Sequence, residues 1–217
     1  MSPTIQEQAD QVRAASTGRL PAEVIEAFAR DRDRMIGRGM RSDAVAAGDL
    51  LQDFILPDAT GKDVSLSELV ASGPSVLVFY RGGWCPYCNL ALHQYQSELV
   101  PQLGRYGATM IAISPQKPDE SLSTAERHSL GFPVLSDAGA RVARRLGVAF
   151  QPADDVLEAQ RALGLDIRNG NLDGASELPM PTVVVVDRDR IVRFADIHPD
   201  YTSRTEVPAI ISALEEL

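Results

Sequence analysis

The apolar run Ser75-Val76-Leu77-Val78-Phe79-Tyr80 leads through Arg81-Gly82-Gly83-Trp84 into Cys85-Pro86-Tyr87-Cys88, beyond which apolar residues recur at Leu92, Tyr95 and Leu99. The first part is rich in β-branched and aromatic residues, as a buried strand requires. The second repeats with the period of a helix that buries one face. Pro86 suits a first helical turn, where no backbone N–H is needed. A strand that turns at once into a helix commits the chain to an α/β arrangement. It also puts both cysteines of the protein at the helix mouth: Cys85 at the terminus, Cys88 one turn in on the buried stripe.

Unpaired N–H groups and the positive end of the helix dipole favour a thiolate at Cys85. A free thiol titrates near ~8.5, and such settings lower it to roughly 3.5–7.5. Cys85 is therefore expected to be the more reactive sulfur. Residues three apart on a helix are neighbours, so the two sulfurs can join with little backbone movement. Cys88 can then resolve an oxidised or mixed-disulfide Cys85. Structural zinc is the first competing reading, but it takes four ligands, and the other candidates, His93, His128 and His198, form no matching pair. No metal or other cofactor is expected. The second competing reading, two cysteines serving as small apolar residues, needs both to fall at a strand-to-helix junction by coincidence.

The formal net charge of −9 argues against nucleic acid or an anionic membrane as partner. No apolar stretch approaches the ~20 residues that span a bilayer. The start, Met1-Ser2-Pro3-Thr4-Ile5-Gln6-Glu7, lacks a basic segment followed by an apolar run, so no signal peptide is expected. The expected compartment is the cytoplasm, where a cysteine pair is more often catalytic than structural.

Residues 1–42 read as a helical extension. Thr4 and Glu7 fit a capping box, with Ile5, Ala9 and Val12 on one face. Ser16-Thr17-Gly18 interrupts, and Pro21 opens a second helix with Val24, Ile25, Phe28, Met35 and Ile36 on its apolar side, ended by Gly37 and Gly39. Such a pair must pack on the main domain or serve as the arm of a homodimer. Residues 43–217 read as one domain. Two short strands flank the turn Asp58-Ala59-Thr60-Gly61; strands follow at Ala108–Ser114 and Pro133–Leu135, with a helix from about Pro118 to His128 between them. A helix from Asp137 is closed by Gly147, and residues 151–178 form an insertion expected to lie over the active-site edge. Pro181 opens a buried strand, Asp187-Arg188-Asp189-Arg190 turns into another, and a final helix is expected from about Glu206, capped by Thr205.

Trp84-Cys85-Pro86-Tyr87-Cys88 resembles the thioredoxin and glutaredoxin active site. Its surroundings resemble the peroxiredoxins, the alkyl hydroperoxide reductase and thiol-specific antioxidant family. This second likeness rests on Ala47–Asp58, Gly61–Leu69, Ile113-Ser114 and Phe132-Pro133-Val134-Leu135-Ser136-Asp137, and covers roughly residues 45–215. It implies a thioredoxin-like fold: a central mixed sheet flanked by helices. The two likenesses assign the sulfurs differently. In the peroxiredoxin register Pro-x-x-x-Thr-x-x-Cys, Cys88 takes the peroxidatic place, Cys85 replaces the threonine and Arg81 the proline. In the thioredoxin register Cys85 is the nucleophile, as the helix-terminus argument prefers.

The thioredoxin likeness also implies a cis Met180-Pro181 bond beside Cys85. The arginine that peroxiredoxins place just before that strand is missing at Met180-Pro181-Thr182, so Arg81 or another cation must substitute. Tyr80, Arg81, Trp84 and Pro86 are expected to line the pocket on one side, and Met180, Pro181 and Thr182 on the other. The resemblance implies a thiol peroxidase acting on hydrogen peroxide or organic hydroperoxides, with a thioredoxin- or glutathione-type donor. Its alternatives are a protein-disulfide oxidoreductase without peroxidase activity and a non-enzymatic redox sensor. His93 is expected off the cysteine face, while His198 and Arg193 could approach the site.

Overall fold

The computed structural model describes residues 3–118, 120, 124 and 129–217. Two helices open the chain, α1 (Ile5–Thr17) and α2 (Ala22–Arg38), followed by the hairpin β1 (Ile55–Pro57) and β2 (Asp63–Ser65) and the short helix α3 (Leu66–Val70). Strand β3 (Ser75–Phe79) feeds α4 (Pro86–Gln94), which continues through a wide π turn at Tyr95–Leu99 into α5 (Val100–Leu103). Pro101 lacks the N–H that would extend the α-helical ladder, and the turn before it closes instead with Val100 N–H on Tyr95 O. Next come β4 (Thr109–Ser114), β5 (Val134–Ser136), α6 (Arg141–Arg145), β6 (Ala149–Phe150), α7 (Asp154–Ala162) and α8 (Ile167–Gly170). The chain finishes with β7 (Leu178–Pro179), β8 (Thr182–Val186), β9 (Val192–Ile197) and α9 (Val207–Glu215).

The main sheet has the order β5-β4-β3-β8-β9, parallel on the β5-β4-β3 side and antiparallel from β3 to β9. This is the mixed sheet flanked by helices that the resemblance implied. Side chains alternate across it. Val76, Val78 and Tyr80 face one core, shared with Leu92 and Leu99 and with Ile210 of α9; Leu77 and Phe79 face another, shared with Leu66 of α3 and Val142 of α6. Both central strands are buried along their whole length.

Register decides where the site forms. Phe79, the last residue of β3, pairs with Thr182, the first of β8, and Thr182 pairs with Ile197, the last of β9. The cysteine turn, the Met180-Pro181 step and the segment after Ile197 therefore emerge at one sheet edge.

The capping box at Thr4 and Glu7 is present, and Pro21 opens α2 as the sequence predicts. The extension packs on this chain, α1 against α4 and α2 against α7. Its anchor is Glu206, whose carboxylate accepts from the backbone N–H groups of Ile5 and Gln6 at 3.1 and 2.9 Å, satisfying donors that a helix start leaves free. Several expectations need correction. Ile36 is 48% exposed, and Gly37 lies inside α2, which ends at Gly39. Thr205 is no cap: its hydroxyl bonds Asp196 at 2.9 Å and Glu206 takes the N-cap position of α9. Much of the helix expected from Pro118 to His128, His128 included, lies outside the described residues.

Candidate active site

The turn into α4 is built around Gly82, whose φ of +148° favours glycine and whose missing Cβ would fall 2.4 Å from Trp84 Nε1. Gln116 accepts from Gly83 N–H at 2.7 Å, and Asn89 Nδ2 donates to Gly83 O at 2.9 Å. The turn is thus pinned from a neighbouring loop and from its own helix. Cys85 takes the N-cap and Pro86 the first turn, as the sequence predicts. Both sulfurs are free thiols and both are buried, Cys85 at 1% and Cys88 at 0% exposure.

The sequence reading did not foresee the cation that reaches them. Arg204 Nη2 lies 3.0 Å from Cys88 Sγ and 3.9 Å from Cys85 Sγ. Its Nη1 donates to Tyr201 O and Ser203 O at 2.6 and 2.5 Å. That segment is held in turn: Tyr95 O–H donates to Thr205 O at 2.6 Å, and Asp196 receives both Thr205 Oγ1 and His198 Nε2, the latter at 3.1 Å. The His198 hydrogen bond is the main cause that holds the Asp196 carboxyl below its usual range. Arg81 is also buried, its guanidinium 5.0 Å from the Trp84 ring and 4.4 Å from the Tyr201 ring, within cation–π range.

The charge distribution opposes the helix-terminus expectation. Burial pushes the Cys88 thiol up, but the hydrogen bond from Cys85 and the charges of Arg204 and Arg81 outweigh it and hold Cys88 well below the ordinary thiol value. Burial, followed by the hydrogen bond to Cys88 and its charge, drives Cys85 well above that value. Between the two sulfurs the proton is thus favoured on Cys85 and the negative charge on Cys88. The physical reason is magnitude. A helix start presents about half a positive charge, whereas Arg204 brings a whole one into direct contact with the inner sulfur.

On the facing side, no cis peptide bond occurs among the described residues, so Met180-Pro181 is trans and the expected cis bond is corrected. Pro181 lies on the Cys88 side, lining a void of about 10 Å³ with Cys88, Arg204 and Thr182. The nearby backbone is already engaged: Met180 N–H donates to Val148 O, Thr182 Oγ1 to Met180 O and His198 N–H to Pro181 O. Met180 N–H and the Met180 and Pro181 carbonyls thus each have a partner within the chain.

Tyr80 is buried beneath the turn, Trp84 is half-buried and Pro86 is exposed. His93 is exposed, and Arg193 is paired with Asp187, its Nε 2.7 Å from the carboxylate. His198 does approach, joining the wall behind Cys88. Among the described residues no group of three or more His, Cys, Asp or Glu could hold a metal, and no helix is long and apolar enough to cross a membrane.

In front of the pair lies a cavity of about 660 Å³ that reaches Arg81, Trp84, Cys85 and Tyr87. Its remaining walls come from α1, α2, the end of α7 and the Tyr201 loop. Cys85 faces this space, and Cys88 stands on the other side of the turn with Arg204.

A family model described as the AhpC/TSA family matches residues 47–195. The peroxiredoxin Bcp of Escherichia coli K12 is 33% identical over 103 residues, covering 47% of this chain and 64% of that protein. The thiol-disulfide oxidoreductase ResA of Geobacillus thermodenitrificans is 29% identical over 116 residues, covering 53% of this chain and 65% of that one. Each match thus spans less than two thirds of the relative's own length. Among solved structures, peroxidoxin BcpB from Mycobacterium tuberculosis superposes with a TM-score of 0.61 at 26% identity, over 79% of this chain and 97% of that one.

Proposed function

Because the chain belongs to the AhpC/TSA family, we propose that it is a thiol-dependent peroxidase whose Cys85 and Cys88 cycle between dithiol and disulfide, with Cys88 as the attacking thiolate. The observation that carries this reading is the Arg204 guanidinium 3.0 Å from Cys88 Sγ, a cation that supplies what Met180-Pro181-Thr182 lacks. The Cys88 thiolate attacks the terminal oxygen of a hydroperoxide. An S–O bond forms as the O–O bond breaks, and the departing alkoxide, or hydroxide from hydrogen peroxide, takes a proton and leaves as alcohol or water. Arg204 stabilises the charge as it moves from sulfur to oxygen. Cys85 then displaces the oxygen from the Cys88 sulfenic acid as a second leaving group, released as water once protonated, and the disulfide closes. The peroxide has gained two electrons. A thioredoxin-type dithiol, or two thiols of the glutathione type, returns them by exchange in the cytoplasm.

A second reading, exchange with a disulfide substrate, is favoured by Cys85 facing the large cavity; the occupied backbone around Pro181 weighs against docking of an extended chain there. The deciding experiment follows hydrogen peroxide and an alkyl hydroperoxide with thioredoxin, thioredoxin reductase and NADPH for wild type, Cys85→Ser and Cys88→Ser. The peroxidase reading requires wild-type turnover, one equivalent of peroxide consumed by Cys85→Ser with a sulfenic acid trapped on Cys88, and no consumption by Cys88→Ser. Insulin reduction without peroxide turnover supports the second reading instead. A sulfenic acid trapped on Cys85 in Cys88→Ser would reverse the roles of the sulfurs.

A further inference from the structure

The oxygen that departs when Cys88 is oxidised needs a proton, and the groups around that sulfur differ in their ability to give one. Cys88 borders a void of about 10 Å³, close to the ~10–15 Å³ that a single water molecule needs. The void thus has room for one oxygen atom, and its polar walls are Arg204, His198, Thr205, Thr182, Tyr95 and Tyr80. Arg204 keeps its protons in a protein. Thr182 Oγ1 donates to Met180 O and Thr205 Oγ1 to Asp196. Tyr95 O–H donates to Thr205 O at 2.6 Å, and burial pushes its phenol up. Tyr80 is 1% exposed, sealed from the water that would have to restore a proton it gave away.

His198 differs from all of these. Imidazole is the side chain that ordinarily exchanges its proton near neutral pH. The His198 side chain is 18% exposed, so the ring that borders the void also meets solvent. Its backbone N–H donates to Pro181 O at 2.9 Å, which fixes the residue beside the start of β8. Nε2 lies 3.1 Å from Asp196 Oδ2 and 3.2 Å from Thr205 Oγ1. The carboxylate, held in its charged form chiefly by this hydrogen bond, keeps a hydrogen on Nε2 whether the ring is charged or neutral. Nδ1 has no hydrogen-bond partner among the described residues, and is the nitrogen left to exchange a proton.

We propose that His198 is the general acid of the peroxide step, giving its Nδ1 proton to the oxygen that leaves as the O–O bond breaks. This role rests on the peroxidase reading with Cys88 as the attacking sulfur. The thiolate forms the S–O bond, the O–O electron pair passes to the departing oxygen, and the proton from His198 completes a water molecule. Neutral His198 retains its Nε2–H on Asp196, and solvent restores the lost proton. When the disulfide closes, the Cys85 thiol supplies its own proton to the oxygen leaving Cys88, so that step draws none from His198.

The test compares two leaving groups. Reduced full-length protein and His198→Gln are each mixed with hydrogen peroxide and with peracetic acid, and the second-order rate of oxidation is followed by stopped flow through Trp84, the chain's one tryptophan. Hydroxide leaves poorly without a proton, since water titrates near ~15.7, whereas acetate leaves as a stable anion. The substitution should slow hydrogen peroxide by about 100-fold, the lower end of what a positioned acid contributes, and peracetic acid at least about tenfold less. A displaced Arg204 would slow both oxidants alike, so it cancels in the ratio of the two losses. In wild type, where no variant has to fold, oxidation by hydrogen peroxide should be slower in heavy water and oxidation by peracetic acid should not.

A ratio of losses below about tenfold, or equal isotope effects with the two oxidants, overturns the role of His198 and leaves the peroxidase reading standing. Failure of either compound to oxidise Cys88 in wild type defeats that reading, and the role of His198 with it.

Discussion

Replacing Arg204 by methionine keeps much of the side-chain volume and removes the charge beside Cys88. At 3.0 Å and an effective dielectric of about 20, the gross attraction between guanidinium and thiolate is roughly 5 kcal/mol. Part of this is offset by the cost of taking both ions out of water, and hydrogen bonds to charged groups are worth about 1.5–3 kcal/mol net. At about 1.4 kcal/mol per factor of ten, the thiolate fraction of Cys88 should fall by roughly 10- to 100-fold at a pH below its midpoint. The assay is ultraviolet titration of the thiolate, with iodoacetamide alkylation followed residue by residue.

The sign in stability follows from the same shift. Cys88 is held below the ordinary thiol value, so its thiolate stabilises the fold fully above the unfolded value near ~8.5 and loses that contribution as pH falls through the folded midpoint. The deficit of Arg204→Met against wild type should therefore be larger in alkali and shrink on acidification. A residual deficit from the lost bonds to Tyr201 O and Ser203 O should persist at every pH. Arg204→Lys should recover part of the thiolate, since it keeps the charge without the fork. An unchanged or lowered midpoint in a folded Arg204→Met would refute the reasoning.

Three further predictions concern the frame around the sulfurs. Tyr95→Phe strands the buried Thr205 carbonyl, so stability should drop by about 1–3 kcal/mol, read as a lower Tm, with slower alkylation of Cys88 as the Arg204 segment loosens; an unmoved Tm counts against this bond. Glu206→Ala removes the acceptor for Ile5 and Gln6 N–H, and should cost about 1 kcal/mol and speed amide exchange in the first turn of α1 while leaving α4 protected. Gly82→Ala forces a Cβ against Trp84 Nε1 and an L residue into a conformation that costs about 1–3 kcal/mol. It should shift the Trp84 emission, and wild-type emission and Tm together would show that the turn yields freely.

How much was legible in the sequence depended on the range of the forces involved. The strand, the turn and α4 were readable because their signals are local: β-branching in Val76 and Val78, a proline at the helix start, and a stripe through Leu92 and Leu99. The capping box at Thr4 and Glu7 is equally local and forms as read. Arg204 was illegible because it reaches Cys88 across 116 residues of sequence. Only the register Phe79–Thr182–Ile197 brings its loop to the cysteine edge. Thr205 looked like a cap until Asp196, on a neighbouring strand, claimed its hydroxyl. The pull of Arg204 toward the other sulfur was hidden for the same reason, since a helix terminus can be read along the chain and a distant guanidinium cannot. The apolar side of α2 was read correctly at Val24 and Met35, whereas pattern alone could not tell that Ile25 and Phe28 line a cavity.

Cys85 looks onto the large cavity, and Cys88 sits behind it with Arg204 at its back. Once the two are joined, an incoming thiol approaching from that chamber meets the Cys85 half of the bond first. On the peroxidase reading, the reductant therefore meets the disulfide from the chamber side, while the oxidant must pass the turn to reach Cys88. Steady-state rates measured against both should give parallel reciprocal lines, and any compound that lodges in the chamber should hinder the reductive half of the cycle first.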